Sequence, residues 1–219
     1  CTLFFIVLRA QIVRVLLGGG VFSWNDTRLV AGALALFSIS VAAQSMILLL
    51  VRGFYAKGNT KTPLKINFFS ALITICITGL LFFLFKESLI FQNFLSSLLR
   101  VEGVRGISVL LLPLGFSLGQ ITNALLLWYF FHKPYTHVAK THDMRKTVFQ
   151  VTSASIIAAT GIYILLSFIG VGVDQARFVG VLLQGLLAGL IGVFLYGLVL
   201  LALKNEDISL FLATIKSKF

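Results

Sequence analysis

The chain has 219 residues, of which 58% are hydrophobic and only 11% are charged, and its mean hydropathy is +1.02. A soluble domain carries about 25% charged residues, so the composition excludes an ordinary soluble protein and makes lipid the expected solvent. The net charge of +11 does not indicate nucleic acid as a partner, because the basic residues lie in short gaps between apolar runs.

Five apolar runs are long enough for a membrane-spanning helix of about 20 residues, and the first residues of the chain look like the end of a sixth. The five runs are residues 29–52, 64–85, 106–131, 148–169 and 178–203, and the partial one is residues 1–17. Each run is too long for a barrel strand, and backbone groups in lipid need partners within their own segment. The predicted fold class is therefore all-α: a polytopic membrane helical bundle with about six transmembrane helices.

The first apolar run contains two arginines, Arg9 and Arg14, and the chain begins inside that run without a Met. We therefore expect the sequence to be a piece of a longer protein. Two interpretations of the arginines stay open. Their side chains can extend to the outer membrane interface, or they can face a cavity that holds an anionic substrate.

The connection "VRGFYAKGNTKTPLK", residues 51–65, contains four basic residues and no acid. If six spans alternate in direction, eleven Lys and Arg residues fall on this side of the membrane and five on the other. The positive-inside rule then predicts that this connection, the 132–147 loop and the tail 204–219 are cytoplasmic. A second role for the lysines, contact with anionic lipid headgroups, also fits.

Polar side chains inside the apolar runs are candidates for a substrate cavity. They are Gln44 in the second span, Asn67, Ser70 and Thr74 in the third, and Gln120 and Asn123 in the fourth. The spacing of Asn67, Ser70 and Thr74 predicts that they share one helix face. Such groups either line a hydrophilic cavity or form contacts between helices. Contact between helices is the favoured role for Ser70 and Thr74, and both roles fit the amide side chains.

The 86–105 connection contains "SLIFQNFLSSLL", which is apolar but too short to cross a membrane. It fits an amphipathic helix on the outer surface, or a loop that folds back on the bundle.

No catalytic pattern is present in the sequence: it contains no HExxH motif, no cysteine–histidine cluster with metal-binding spacing, and no serine–histidine–aspartate set. We therefore expect a carrier or binding protein rather than an enzyme, with no metal site.

Two stretches carry a family resemblance. In "RVLLGGGVFSWNDT" the matching positions are Gly20 and Phe22, together with Arg14 and Asp26. In "RGFYAKGNTKTPLKI" the matching positions include Gly53, Phe54, Tyr55, Thr60, Thr62 and Pro63. With "SLGQITNALLLWYFFHK", these stretches resemble, in the right order, the C-terminal half of the MurJ/MviN family of lipid II flippases.

The resemblance implies spans nine to fourteen of a fourteen-span protein with a MATE-like fold of two lobes. Residues 1–147 would belong to the C-terminal lobe and residues 148–203 would be two additional helices. The implied function is translocation of lipid II across the bacterial cytoplasmic membrane by alternating access. The implied partners are lipid II, membrane lipids, the missing N-terminal lobe and cell-wall synthesis proteins, with no cofactor.

Two alternatives to lipid II translocation remain on the sequence alone. One is another transporter of the same superfamily, such as a polysaccharide-unit flippase or a cation-coupled drug exporter. The other is a membrane scaffold that transports nothing.

Overall fold

The computed structural model describes residues 1–18, 23–104, 106–132, 141–172 and 178–203. Within these ranges the chain is helical and contains no strand. The helices are α1 (Thr2–Leu17), α2 (Trp24–Ala56), α3 (Lys61–Glu87), α4 (Leu89–Leu99), α5 (Leu111–His132), α6 (Thr141–Gly172) and α7 (Phe178–Ala202). A short 3₁₀ turn, Ile107–Leu110, leads directly into α5. Gly20 and Phe22, and the tail 204–219, lie outside the described residues.

Five of these helices are long and apolar enough to cross a membrane: α2, α3, α5, α6 and α7. Large apolar side chains such as Phe68, Phe83 and Phe194 are exposed on them. Such surfaces suit lipid rather than water, because they are large and apolar and the described helices do not cover them. The predicted fold class, an all-α polytopic membrane bundle, is confirmed, and the 16-residue α1 is not among the five.

Helix α2 begins at Trp24, before the apolar run that predicted it, because its N-terminus carries a capping box. The Ser23 Oγ accepts a hydrogen bond from the Asp26 backbone N–H at 3.2 Å. The Ser23 N–H donates in turn to the Asp26 carboxylate at 2.9 Å. Reciprocal bonds of this kind satisfy backbone donors that have no partner in the first helical turn.

Helix α5 is the central helix of one part of the bundle, since it packs against both α2 and α3. The other part contains α1, which packs against α2 and against the pair formed by α6 and α7. Three apolar clusters hold these helices together. They are centred on Leu110 and Leu111, on Leu127 and Phe54, and on Leu8 and Ile162.

The 86–105 connection contains the helix α4, which packs on the bundle through Leu95 and Leu99. Its exposed residues Ile90, Phe94 and Leu98 recur every four positions and so share one face, which lies beside the buried face of Leu95 and Leu99. The two expectations for this connection are therefore combined, because α4 is amphipathic and is also folded back on the bundle.

Candidate functional site

The polar stripe on α3 faces α5. The Asn123 amide on α5 donates to the Asn67 Oδ1 at 3.1 Å. The Ser70 hydroxyl donates to the Gly119 carbonyl at 3.4 Å, and the Thr74 hydroxyl bonds within its own helix, to the Ser70 carbonyl. The bonds of Asn67 and Ser70 join α3 to α5, and the Thr74 side chain packs against Gly119 of α5, so at Ser70 and Thr74 the geometry favours contact between helices.

Small residues bring these two helices together. A Cβ atom added to Gly119 would overlap the Thr74 side chain, and one added to Gly115 would overlap Thr78. Close approach through small residues is a common form of helix packing in membranes, where burial of apolar surface alone drives little association.

The other candidates on α5 and α2 occupy different surroundings. Gln120 is half-buried on α5, whereas Gln44 is exposed near the middle of α2. The Gln44 amide donates to the Ser40 Oγ at 3.0 Å. Gln44 also lines an open cavity of about 470 Å³, together with Ser45 and Leu48. A polar group exposed at this depth is costly in lipid, so this face of α2 suits contact with water or more protein.

Arg14 and Arg9, on the same helix, have different neighbours. The guanidinium of Arg14 stacks over the Trp24 ring, 4.8 Å from its centroid, which is a cation–π contact. Arg9 lines a cavity of about 630 Å³ between α1, α2, the end of α4 and α6.

Two more arginines, Arg28 and Arg100, line the cavity that contains Arg9. The Arg28 Nε donates to the Arg100 carbonyl oxygen at 2.8 Å, which ties α2 to the end of α4. This cluster was not identified from the sequence, because Arg28 and Arg100 are 72 positions apart and no local pattern links them.

The motif at residues 53–63 forms the turn between α2 and α3. Phe54 is buried and its ring meets the Phe131 ring edge-on at 5.2 Å. Gly53 lies beneath the Phe131 ring, where an added Cβ would be 2.9 Å from a ring carbon. The Lys57 ammonium lies 3.9 Å from the centroid of the same ring. This half of the motif therefore packs the end of α5 against the turn.

The other half of the motif begins α3. The Asn59 Oδ1 accepts a hydrogen bond from the Thr62 backbone N–H at 3.1 Å, and Thr60 is the residue that precedes the helix. Pro63 is buried in the first turn, where its missing N–H costs no helical hydrogen bond. Tyr55 is exposed. The arrangement explains the motif as a structural element and assigns it no chemistry.

No group of three or more His, Cys, Asp or Glu residues is placed to hold a metal ion in the part of the chain that the structure describes. The cavity lined by Arg9, Arg28 and Arg100 and the exposed surface of α2 around Gln44 are two candidate ligand sites among the described residues.

Comparison with known proteins gives one family. A family model described as lipid II flippase MurJ matches residues 1–187. A probable lipid II flippase MurJ of Rickettsia prowazekii (strain Madrid E) is 40% identical over 68 residues, which is 31% of this chain and 13% of that protein. The protein of the same name from Rhizobium tropici is 36% identical over 76 residues, or 35% of this chain and 14% of that protein. The matched segments thus span only 13–14% of these relatives' lengths. No solved structure gives a significant match.

Proposed function

Because this chain belongs to the lipid II flippase MurJ family, we propose that it forms part of a carrier that moves lipid II across the bacterial cytoplasmic membrane. The family match over residues 1–187 is the observation that supports this function. In this proposal the chain supplies the C-terminal lobe with residues 1–147 and two further helices with residues 148–203. An N-terminal lobe supplies the other wall of the cavity, and alternating access exposes that cavity to each side in turn.

The exposed amide of Gln44 on α2 supports a cavity wall at this place. Gln44 lies near the middle of a 33-residue helix, and its neighbours Ser45 and Leu48 are exposed as well. An amide at this depth is stabilised by water or by polar protein groups and is disfavoured in hydrocarbon. We propose that this face lines the cavity opposite the N-terminal lobe.

Carriers of this kind make and break no covalent bond, so their task is to exchange the solvation of a charged headgroup for contacts with the protein. A lipid diphosphate needs cationic or N–H donors along its path, and its polyprenyl chain needs apolar surface. The exposed apolar faces of the long helices supply the second requirement. Residues of the N-terminal lobe and Arg14 of α1 would supply the first.

The test uses the full-length protein in bacterial cells depleted of their own lipid II flippase. Lipid II on the outer face is measured with an externally added enzyme that cleaves only the exposed lipid. We expect the protein to restore cleavage, and unrestored cleavage at normal protein level contradicts the proposal.

A variant tests whether the α2 face around Gln44 lines the cavity. Gln44→Leu removes the polar group from the α2 face and should lower outward lipid II while the protein level stays normal. The control Thr160→Val removes a hydroxyl that bonds within its own helix, to the Ile156 carbonyl, and should leave transport unchanged. Full transport by the Gln44→Leu variant would remove this face from the cavity.

A further inference from the structure

The cavity between α1, α2, α4 and α6 has the composition of an anion site. Arg9, Arg28 and Arg100 come from three different helices or helix ends, and no Asp or Glu is among the described residues that line the cavity. Like charges that converge without a counter-charge repel one another, and a bound anion relieves that repulsion. Guanidinium groups also match phosphate oxygens with two parallel hydrogen bonds.

The local backbone holds two of these arginines in place. Arg100 ends α4 in a left-handed conformation (φ 57°), and its N–H donates to the Ser97 carbonyl at 3.1 Å. Its own carbonyl accepts from the Arg28 Nε at 2.8 Å. That bond uses one of the five N–H donors of Arg28, and the rest of the guanidinium fork is available to a ligand.

The third arginine, Arg9, lies inside the apolar part of the structure. It is half-buried about two turns before the end of α1. Its guanidinium has no hydrogen-bond or ion-pair partner among the described residues. An arginine at this depth is stabilised by a counter-ion, so a ligand phosphate in the cavity would offset the cost of placing Arg9 there.

A neighbouring acceptor adds to the polar character of the site. Gln11 lines the same cavity, and its buried Oε1 atom has no hydrogen-bond partner among the described residues. A buried acceptor without a partner is destabilising, and a ligand that carries hydroxyl donors beside its phosphate could supply the missing donor.

Apolar surface leads up to the cavity. Leu98 lines the cavity, and it is also the last member of the exposed stripe with Ile90 and Phe94 on α4. A water-soluble anion makes no favourable contact with such an apolar stripe, whereas the acyl chain of a lipid can lie along it. The cationic cavity for a lipid phosphate and the apolar stripe for its acyl chain therefore lie next to each other.

We propose that Arg9, Arg28 and Arg100 bind the phosphate of an anionic lipid headgroup in the membrane leaflet nearest the 86–105 connection. Phosphatidylglycerol has the required chemistry, namely one phosphodiester charge and glycerol hydroxyls. The site is separate from the α2 face assigned to transport, and its occupation does not depend on lipid II translocation.

The experiment measures binding to the purified full-length protein in nanodiscs. Phosphatidylglycerol is titrated into a phosphatidylcholine background, and bound lipid is counted by native mass spectrometry. We expect Arg28→Gln and Arg9→Gln each to weaken phosphatidylglycerol binding about tenfold, because each removes a charge-assisted hydrogen bond. The matched control is Arg52→Gln, which removes the same charge from the other end of α2 and should leave binding unchanged.

Several outcomes decide the proposal. Equal affinity for phosphatidylglycerol and phosphatidylcholine, or unchanged binding in both cavity variants, overturns it. Displacement by inorganic phosphate at millimolar concentration, without dependence on acyl chain length, would assign the cavity to a soluble anion and overturn the lipid assignment. If Arg28→Gln loses its thermal unfolding transition in phosphatidylcholine nanodiscs, Arg9→Gln decides, because the Arg9 side chain makes no hydrogen bond to the part of the chain that the structure describes.

Discussion

Gly119 is the residue at which the approach of α3 and α5 is most sensitive. An added Cβ would overlap the Oγ1, Cβ and Cγ2 atoms of Thr74, and a β-branched side chain on a helix has little freedom to rotate away. Gly119→Ala should therefore lower the free energy of unfolding by about 1–3 kcal/mol. The measurement is thermal unfolding of the purified protein in nanodiscs.

The control for that change is Gly79→Ala, since a Cβ at Gly79 meets no atom within 4 Å. It should leave stability equal or raise it slightly, because alanine has the higher helix propensity. The double variant Thr74→Ala with Gly119→Ala should recover much of the loss, since it removes the atoms that overlap. If the double variant is as unstable as the single one, the contact does not explain the effect.

At the same scale, sequence periodicity predicted one group of residues and missed another. The spacing of Asn67, Ser70 and Thr74 placed them on one face because all three positions follow a single helical repeat. In the structure that face contacts α5. Arg28 and Arg100 meet only through tertiary packing, which a local sequence repeat does not predict. The sequence therefore identified Arg9 as a candidate but could not supply its neighbours.

Helix α4 shows how a short element uses two adjacent apolar faces. Leu95 and Leu99 join the cluster around Leu110, while Ile90 and Phe94 remain exposed. Burial of one face fixes the helix to the bundle, and the other face is available to lipid. The polar residues of α4 occupy the remaining side, as is typical of a helix at a membrane interface.

Truncation of the two faces should have different effects. Leu95 is 2% exposed, so Leu95→Ala leaves a cavity in the cluster and should cost about 2–5 kcal/mol of unfolding free energy. Ile90 is 83% exposed, and Ile90→Ala should change stability by less than about 0.5 kcal/mol. Thermal unfolding in nanodiscs measures both, and equal losses would contradict the assignment of the two faces.

The long helices were predictable because hydropathy reports the solvent directly, and the five apolar runs correspond to the five helices that can cross a membrane. Their ends were less predictable. Helix α2 extends to Trp24 because of a capping box made by Ser23 and Asp26, which are polar and fall outside a hydropathy window. The form of the 86–105 connection also needed the structure, since both an amphipathic helix and a folded-back segment fitted its composition.

For the whole molecule, charge distribution and helix order predict the same orientation in the membrane. The proposed topology puts the turn between α2 and α3 in the cytoplasm and α4 on the outer face. The turn contains Lys57 and Lys61 with no nearby acid, whereas the polar residues of α4 are mainly uncharged. Positive charge is retained on the cytoplasmic side during insertion, so the turn is the stronger of the two topology determinants.

Labelling of single cysteines tests that orientation in intact cells. In a cysteine-free background of the full-length protein, which includes Cys1→Ser and Cys76→Ser, Lys61→Cys and Ser97→Cys each place one thiol at an exposed position. A membrane-impermeant maleimide should label Ser97→Cys in intact cells and should label Lys61→Cys only after the membrane is opened. Protection of both thiols until opening would put α4 away from the outer surface. The reverse pattern would invert the bundle, and the proposed direction of lipid II translocation would then be wrong.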